Sequence, residues 1–293
     1  MRNVDEGHTL LNAGGRLLDL SAPVVMGILN ATPDSFFAGS RVQTESDIAS
    51  RADAIIQEGG QIIDVGAFST RPGADMVSLE EEMRRMRAAL AIVRGRQPDA
   101  VLSVDTFRPE VAQMAVEEFG AAIINDVSEG GLGNIACTTA NDTVLLDIPP
   151  MFRMVARLHV AYVLMSVKAD WRQMLMAFAQ EVAMLRSLGV CDVILDPGFG
   201  FGKDLHQNYQ LMASLERLKV MGLPVLVGVS RKSMLTRLLG CEVSEALNAT
   251  TALHAVALMK GAKVLRVHDV AEAVETCKVM SELFAAEHMN NND

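Results

Sequence analysis

Eight short apolar segments recur along the chain, and longer segments with helical spacing of apolar residues lie between several of them. The apolar segments are 24–29, 61–67, 100–105, 121–126, 161–167, 192–198, 224–230 and 263–268. They are apolar almost without interruption, which is typical of parallel strands covered on both faces. The helical spacing predicts helices over 45–58, 78–94, 109–118, 172–188, 207–220, 244–260 and 270–287, with another near 149–158.

Eight strand–helix units in one chain predict an α/β fold of the (β/α)₈ TIM-barrel type. An open doubly wound sheet is the alternative, but no GxGxxG follows the first strand, which weakens its dinucleotide-binding version. No Pro- or Gly-rich linker divides the chain, so we expect a single domain over 1–293. Segment 131–148 fits the alternation poorly and contains a ninth possible strand, TVLLDI. Its sequence leaves an inserted hairpin, a strand extension and a displaced helix all open.

Charge and cysteine content narrow the classes of partner. The chain carries 26 Lys and Arg against 36 Asp and Glu, a formal net charge of −10, so it is a poor non-specific ligand for nucleic acid. A phosphate ligand stays possible, since a few local cations decide that. Four cysteines without CxxC spacing indicate reduced thiols in a cytoplasmic protein. No signal-peptide core and no 18-residue apolar run are present, so we expect no membrane partner.

Polar residues stand at the carboxyl end of seven of the eight predicted strands. They are Asn30, Asp64, Asp105, Asn125 with Asp126, Asp196, Ser230 to Lys232, and Arg266 with His268. Any one of the acids or amides could merely cap the following helix. In a barrel, however, these strand ends converge on the face where active sites are built. The set therefore predicts a site at that face.

The predicted site has two chemical halves. The first half offers fixed acceptors and an amide, which suit a flat heterocycle with adjacent N–H donors. Its residues are Asp105, Asn125 and Asp196. The second half is cationic and lies on strands seven and eight, where barrels often bind phosphate. Its residues are Lys232, Arg266 and His268. The arginine fork and the lysine point charge together suit a diphosphate. The ligand class that this predicts is a heterocycle with a phosphorylated tail.

Seven segments, in this order, resemble the motifs of the dihydropteroate synthase family of pterin-binding barrels. They are MGILNATPDSF (26–36), DVGAFSTRPGA (64–74), SVDTF (103–107), INDVS (124–128), LDPGFGFGK (195–203), VGVSRKS (227–233) and LRVHDV (265–270). The resemblance runs from about residue 22 to 280, which would be the core of the domain. Several motifs in one order are far more specific than any single motif.

The resemblance implies a transferase that joins a pterin methyl diphosphate to 4-aminobenzoate, releases pyrophosphate and uses Mg²⁺. A homodimer is also what the family suggests. The implied pterin contacts are Asp105, Asn125, Met165, Asp196 and Lys232. The implied diphosphate contacts are Arg266 and His268, with Asn30 contacting Mg²⁺. Mobile loops would contribute Ser35 and Phe36, then Thr70 and Arg71, while Phe199 and Ser233 would contact aminobenzoate. The predicted catalytic residues are Asp64, Lys232, Arg266 and His268.

The chain departs from the family pattern in two motifs and at the insertion near 131–148. After strand five, MSVKADW (165–171) replaces a His-Met-Arg-Gly-like stretch, so that Ser166 and Lys168 stand in for the His and the Arg. In the second motif, Phe68 stands where the family usually has an acid. These departures support an alternative, a pterin-binding paralogue with lost or altered activity. A corrinoid-linked methyltransferase on the same barrel is a further alternative, less suited to the diphosphate motifs.

Asp64 is the least determined of the predicted site residues. It ends an apolar strand and precedes the loop that carries Thr70 and Arg71. From the sequence, its carboxylate could orient Asn30, the Mg²⁺ shell or a cation of the site.

Overall fold

Ten strands are present in the computed structural model, which describes residues 10–31, 45–67, 77–130 and 148–290. In chain order they are β1 (Leu10–Ala13), β2 (Arg16–Asp19), β3 (Val24–Asn30), β4 (Ile62–Gly66), β5 (Val101–Asp105), β6 (Ile123–Asp126), β7 (Ala161–Met165), β8 (Val193–Asp196), β9 (Leu226–Val227) and β10 (Val264–Val267). The last eight coincide with the eight apolar segments of the sequence. Their prediction is confirmed.

These eight strands form one parallel sheet in the order β8-β7-β6-β5-β4-β3-β10-β9. The two ends of the sheet meet, because Leu195 of β8 forms a parallel bridge with Val225, next to β9. The Leu195 N–H also donates to the Pro224 carbonyl oxygen at 2.9 Å. The predicted barrel is therefore confirmed over the open doubly wound alternative.

Nine helices follow the strands in the described part of the chain. They are α1 (Glu45–Gln57), α2 (Leu79–Arg96), α3 (Pro109–Phe119), α4 (Pro150–Leu158), α5 (Trp171–Ser187), α6 (Leu205–Ala213), α7 (Ser233–Leu239), α8 (Leu247–Met259) and α9 (Val270–Asn290). The helix predicted over 207–220 is in fact α6 followed by a 3₁₀ helix, Leu215–Met221. None of the helices in these ranges is long and apolar enough to cross a membrane.

Side-chain caps explain where several helices begin. Ser78 and Asp170 each accept a hydrogen bond from the backbone N–H three residues on, which satisfies a donor that the helix leaves unpaired. Asp204 and Gln207 form a reciprocal capping box at α6. α7 was not predicted because its seven residues are too few for a periodic pattern to appear.

The hairpin of β1 and β2 closes the amino-terminal end of the barrel and was also not predicted. Leu11 and Ala13 are buried against the apolar side chains that fill the barrel interior. The Asn12 N–H donates to the Asp192 carboxylate at 2.8 Å, just before β8 begins. Ligands must therefore enter from the opposite, carboxyl-terminal end.

Strand alternation decides which residues face the inside of the barrel at that end. In β4, Ile62 belongs to the cluster that fills the interior, whereas Ile63 and Val65 pack against the helices. Since side chains alternate between the two faces of a strand, Asp64 lies on the inner face above Ile62. The same alternation brings most of the other strand-end polar residues inward, so that the barrel interior is polar at this end; Asp126 is the exception and lies on the outer face of β6.

The single-domain organisation over 1–293 stays a prediction, because parts of the chain lie outside the described residues. The possible ninth strand at TVLLDI lies almost wholly within 131–147 and is likewise outside them.

Candidate functional site

Asp64 lies at the centre of a buried hydrogen-bond network. Its Oδ1 accepts from the Ser103 hydroxyl at 2.6 Å, and its Oδ2 accepts from Asn125 Nδ2 at 3.1 Å. The same Oδ2 accepts from Arg266 Nε at 2.6 Å. The sequence left three partners open for Asp64: Asn30, the Mg²⁺ shell and a cation of the site. The described contacts include the cation, which is Arg266. Ser103 was not predicted, although its position two residues before Asp105 places it on the inner face of β5.

Arg266 joins two carboxylates on neighbouring strands. Its Nε contacts Asp64, and its Nη2 donates to Asp105 Oδ2 at 2.6 Å. Burial alone would lower the pKa of Arg266, but the two carboxylates raise it well above its usual value. The guanidinium therefore stays charged at every accessible pH. Two of its three nitrogens are held by carboxylates, which fixes the direction of its fork.

Asn125 presents an acceptor to the interior of the site. Its side chain is buried, and within the described ranges its Oδ1 has no hydrogen-bond partner. A buried polar atom of this kind is costly unless a ligand or water satisfies it. Because Asp64 fixes the amide through Nδ2, the oxygen is oriented as an acceptor for a ligand N–H group.

Lys232 lies beside the arginine at the opening of the barrel. Its Nζ donates to the Phe199 carbonyl oxygen and lies 4.8 Å from the centroid of the Phe201 ring. A Cβ added at Gly228 would lie 3.8 Å from Arg266 Cβ and 4.0 Å from Lys232 Nζ, so both cations border this glycine. Burial lowers the pKa of Lys232 to about 8, although the Asp196 charge opposes the shift.

Asp196 and Asp105 are carboxylates in a desolvated environment. Burial raises the pKa of each, and nearby cations, Lys232 for Asp196 and Arg266 for Asp105, oppose the rise. Asp196 Oδ1 accepts from the Gly198 N–H at 2.7 Å, which orients the carboxylate. Carboxyls perturbed in this way by burial and by specific neighbouring charges are typical of functional sites.

Lys203 holds the loop after β8 in place. Its Nζ donates to the carbonyl oxygens of Ser166, Gly198 and Phe201 at 3.0, 2.9 and 3.1 Å. Burial lowers its pKa to about 8. All of its described hydrogen bonds are to backbone carbonyl oxygens.

The loop that carries Lys232 is anchored by the residue before it. Arg231 has a positive φ of 53° and makes two hydrogen bonds of 2.8 Å to Asp269. Its Nη1 also donates to the carbonyl oxygens of Val243 and Ser244. These contacts tie the loop to the segments before α8 and α9. No feature of the sequence alone showed that Arg231 anchors the loop, whereas the adjacent Lys232 faces the site.

His268 and Asn30 lie at the ends of the adjacent strands β10 and β3. His268 Nδ1 lies 3.1 Å from the Ser230 hydroxyl, and its carbonyl oxygen accepts from Arg51 Nη2 at 2.6 Å. Arg51 Nε also donates to the Ile28 carbonyl oxygen, which joins the two strand ends. Asn30 is half-buried, and its Oδ1 would lie 3.4 Å from a Cβ added at Gly66.

The remaining predicted site residues fall into two groups. Met165 and Phe199 are fully buried beside the site, and Ser233 is exposed at the start of α7. The loop residues lie outside the described residues: Ser35, Phe36, Phe68, Thr70 and Arg71. Their roles stay predictions.

Residues 26–268, which include all the strand-end groups described above, match the family model for pterin binding enzymes. The chain belongs to the pterin-binding enzyme family. It is 39% identical over 283 residues to the dihydropteroate synthase of Escherichia coli K12, covering 94% of this chain and 97% of that protein. It is 37% identical over 262 residues to the dihydropteroate synthase of Streptococcus pyogenes, covering 88% and 95%.

Solved structures of dihydropteroate synthases are similar to this chain in fold as well as in sequence. The Yersinia pestis dihydropteroate synthase with a sulfonamide drug complex has a TM-score of 0.82 and 34% identity, covering 94% of this chain and 99% of that one. The Xanthomonas albilineans dihydropteroate synthase with 4-aminobenzoic acid has a TM-score of 0.80 and 36% identity, covering 94% and 98%. The predicted resemblance to dihydropteroate synthases, the barrel fold and the transferase class are confirmed.

Proposed function

We propose that the protein joins (7,8-dihydropterin-6-yl)methyl diphosphate to 4-aminobenzoate, giving 7,8-dihydropteroate and pyrophosphate for folate biosynthesis. The observation that carries the proposal is the pair of cations, Lys232 and Arg266, bordering Gly228 at the carboxyl-terminal end of the barrel, which also holds buried acceptors. Cations suit the diphosphate, and acceptors suit the N–H groups of a pterin. The relatives named above are enzymes of this reaction class.

The pterin ring would be bound by the acceptor half of the site. Asn125 Oδ1 is a buried acceptor oriented by Asp64, and it would receive one ring N–H. Asp105 and Asp196 would accept others, and Met165 would pack against the ring. As the carbon–oxygen bond to the diphosphate breaks, positive charge develops on the pterin methylene. Ionised carboxylates held in place next to that charge stabilise it without reorganisation.

The diphosphate would be bound by the cationic half. Arg266 is fixed by Asp64 and Asp105 through Nε and Nη2, which leaves Nη1 to meet a phosphate oxygen. Lys232 and His268 would contribute further donors. Negative charge grows on the leaving pyrophosphate, so these donors are worth more in the transition state than in the ground state.

The amine of 4-aminobenzoate is the nucleophile and would attack the methylene as the pyrophosphate leaves. An aromatic amine is nucleophilic when neutral, so no covalent intermediate with the protein is required. Phe199 and Ser233 would contact the aminobenzoate. The loops that carry Thr70 and Arg71, and Ser35 and Phe36, would close over both substrates and exclude water.

We propose Mg²⁺ as the metal, contacted by Asn30. Among the described residues no group of three or more His, Cys, Asp or Glu side chains could hold a metal ion. Mg²⁺ commonly keeps several waters and binds substrate phosphates with only one or two protein oxygens. The half-buried Asn30 amide beside Gly66 fits that mode of binding. When bound, the ion would offset negative charge on the leaving group.

Pyrophosphate release tests the proposed reaction. With the pterin diphosphate, Mg²⁺ and 4-aminobenzoate supplied together, we expect release that depends on the amine and disappears when EDTA is added. An Asn30→Ala variant is expected to need several-fold more Mg²⁺ for half-maximal release, because one ligand of the ion is lost. Omission of the amine is the control.

Two other outcomes would contradict the proposal. Pterin binding without amine-dependent release would indicate a pterin-binding paralogue with lost or altered activity, as the altered loop after β7 and Phe68 first suggested. Methyl transfer from a reduced folate to a corrinoid, in place of pyrophosphate release, would indicate the methyltransferase alternative.

The assembly and the location of the protein are also proposals. Large apolar side chains are exposed on α7 and α8 and on the 3₁₀ helix after α6: Val220, Leu238, Leu239 and Met259. They are consistent with a homodimer, which sedimentation equilibrium would detect as twice the chain mass. Cys191, Cys241 and Cys277 are free thiols, consistent with the cytoplasm.

A further inference from the structure

Glu129, three residues after the end of β6, has a backbone conformation that favours glycine. Its φ is 55°, in the left-handed region that residues with a Cβ adopt at an energetic cost. Such a conformation persists only where surrounding contacts stabilise it, and it often marks a functional element. The contacts of the Glu129 side chain supply that stabilisation.

The Glu129 carboxylate accepts three hydrogen bonds, all from the loop after β7. Its Oε1 accepts from the Ser166 hydroxyl at 3.1 Å and from the Val167 N–H at 3.0 Å. Its Oε2 accepts from Lys168 Nζ at 3.0 Å. One side chain thus joins the segments that follow two neighbouring strands.

Both residues that replace the family's His and Arg in this loop, Ser166 and Lys168, are donors to Glu129. The two residues that depart from the family pattern therefore share one acceptor, Glu129, which follows the neighbouring strand β6. Ser166, Lys168 and Glu129 together hold the loop after β7 to the segment after β6.

Ser166 connects this contact to the pterin side of the site. Its N–H donates to the Asp196 carbonyl oxygen at 2.9 Å, and its carbonyl oxygen accepts from Lys203 Nζ at 3.0 Å. A Cβ added at Gly198 would lie 2.2 Å from that carbonyl oxygen, so the loop after β8 packs directly on Ser166. Gly198 in turn donates to the Asp196 carboxylate. A displacement of Ser166 would consequently move the Asp196 carboxylate.

The buried part of the contact has the greater effect. Ser166 is fully buried, whereas the Lys168 side chain is 39% exposed. Exposed ion pairs contribute little, and buried hydrogen bonds to a charged group contribute more. The Ser166 hydroxyl should therefore matter more than the Lys168 ammonium or the N–H of the exposed Val167.

We propose that Glu129 is a positioning residue for pterin binding, which holds the loops after β7 and β8 so that Asp196 faces the ring. This inference rests on the proposed function. It predicts that loss of the Glu129 side chain weakens binding of the pterin diphosphate and leaves binding of 4-aminobenzoate nearly unchanged.

A Glu129→Gly variant separates positioning from folding. Glycine adopts a φ of 55° without a steric cost, so the variant removes all three contacts while relieving the backbone. We expect its melting temperature to stay within a few degrees of the wild type. We expect KM for the pterin diphosphate to rise about tenfold, since charged hydrogen bonds are lost. At saturating pterin, kcat and KM for 4-aminobenzoate should change less than about twofold.

Three further variants serve as matched controls. Glu129→Gln keeps an acceptor for Ser166 and Val167 and should recover most of the pterin KM. Lys168→Gln should change it less than about twofold, since its ion pair is exposed. Glu117→Gln removes a carboxylate from the exposed surface of α3 and should have no effect.

Two results would overturn the proposal: a wild-type pterin KM in Glu129→Gly, or equal losses for both substrates together with a lower melting temperature. If the wild type releases no pyrophosphate, it is the proposed reaction that fails. Calorimetric binding of the pterin diphosphate to wild type and Glu129→Gly then decides on Glu129, with unchanged affinity counting against it.

Discussion

An Arg266→Ala variant is expected to lose about 10³-fold in kcat/KM for the pterin diphosphate, the largest effect of any single substitution in the site. Arg266 meets the leaving group in the proposed mechanism, and it also neutralises Asp64 and Asp105. Its removal deletes a donor to the growing pyrophosphate charge and leaves two carboxylates in a buried site without their cation. Pyrophosphate release under subsaturating substrate is the measurement.

The same substitution is expected to destabilise the fold, by about 3–5 kcal/mol in the free energy of unfolding, because one partner of a buried ion pair is lost. Stability and catalysis can be separated with the double variant Arg266→Ala/Asp105→Asn, which removes one of the two unpaired charges. Its stability should recover in part, whereas its activity should not. Arg266→Lys keeps a charge but cannot keep both carboxylate bonds, so it should be intermediate. Near-normal release by Arg266→Ala would overturn the assignment of the site.

The barrel could be predicted from the sequence because its strands are covered on both faces and read as uninterrupted apolar segments. The site could be predicted for a related reason: the strands end in polar residues, and barrel geometry brings those ends together. Alternation along each strand then fixes which residues face inward, as Ile62 and Asp64 do on β4.

The partners of these residues could not be predicted in the same way. Asp64 and Arg266 are 202 positions apart, and they meet only because β4 and β10 both flank β3. The sequence therefore left three partners open for Asp64. Likewise, nothing local shows that Arg231 bonds to Asp269, or that a glutamate would adopt the positive φ of Glu129. Such contacts depend on which loops the closed barrel brings together.

The shortest elements were also missed, for a different reason. β1, β2 and α7 have four to seven residues, so a period of 2 or 3.6 repeats once or twice at most. The hairpin is fixed by what it covers, the apolar interior at the amino-terminal end, rather than by its own pattern. Local sequence carries little of that information.

A Lys232→Gln variant is expected to lose about 10²-fold in kcat/KM for the pterin diphosphate, because a partly buried cation at the diphosphate is replaced by a neutral amide. Its pH dependence should change as well. Burial lowers the pKa of Lys232 to about 8, so in the free enzyme the cation is present below that pH and is lost above it. Wild-type kcat/KM, which reports the free enzyme, should therefore fall as the pH rises through about 8.

Lys203 provides the matched control, because burial lowers its pKa to about 8 as well. Its Nζ bonds only to backbone carbonyl oxygens among its described contacts, whereas Lys232 borders Arg266 at Gly228. Lys203→Gln should keep the fall in kcat/KM near pH 8, and Lys232→Gln should abolish it; any titration of the substrates is common to all three proteins. A fall that persists in Lys232→Gln and disappears in Lys203→Gln would assign the titrating cation to Lys203, and with it the role in binding the diphosphate.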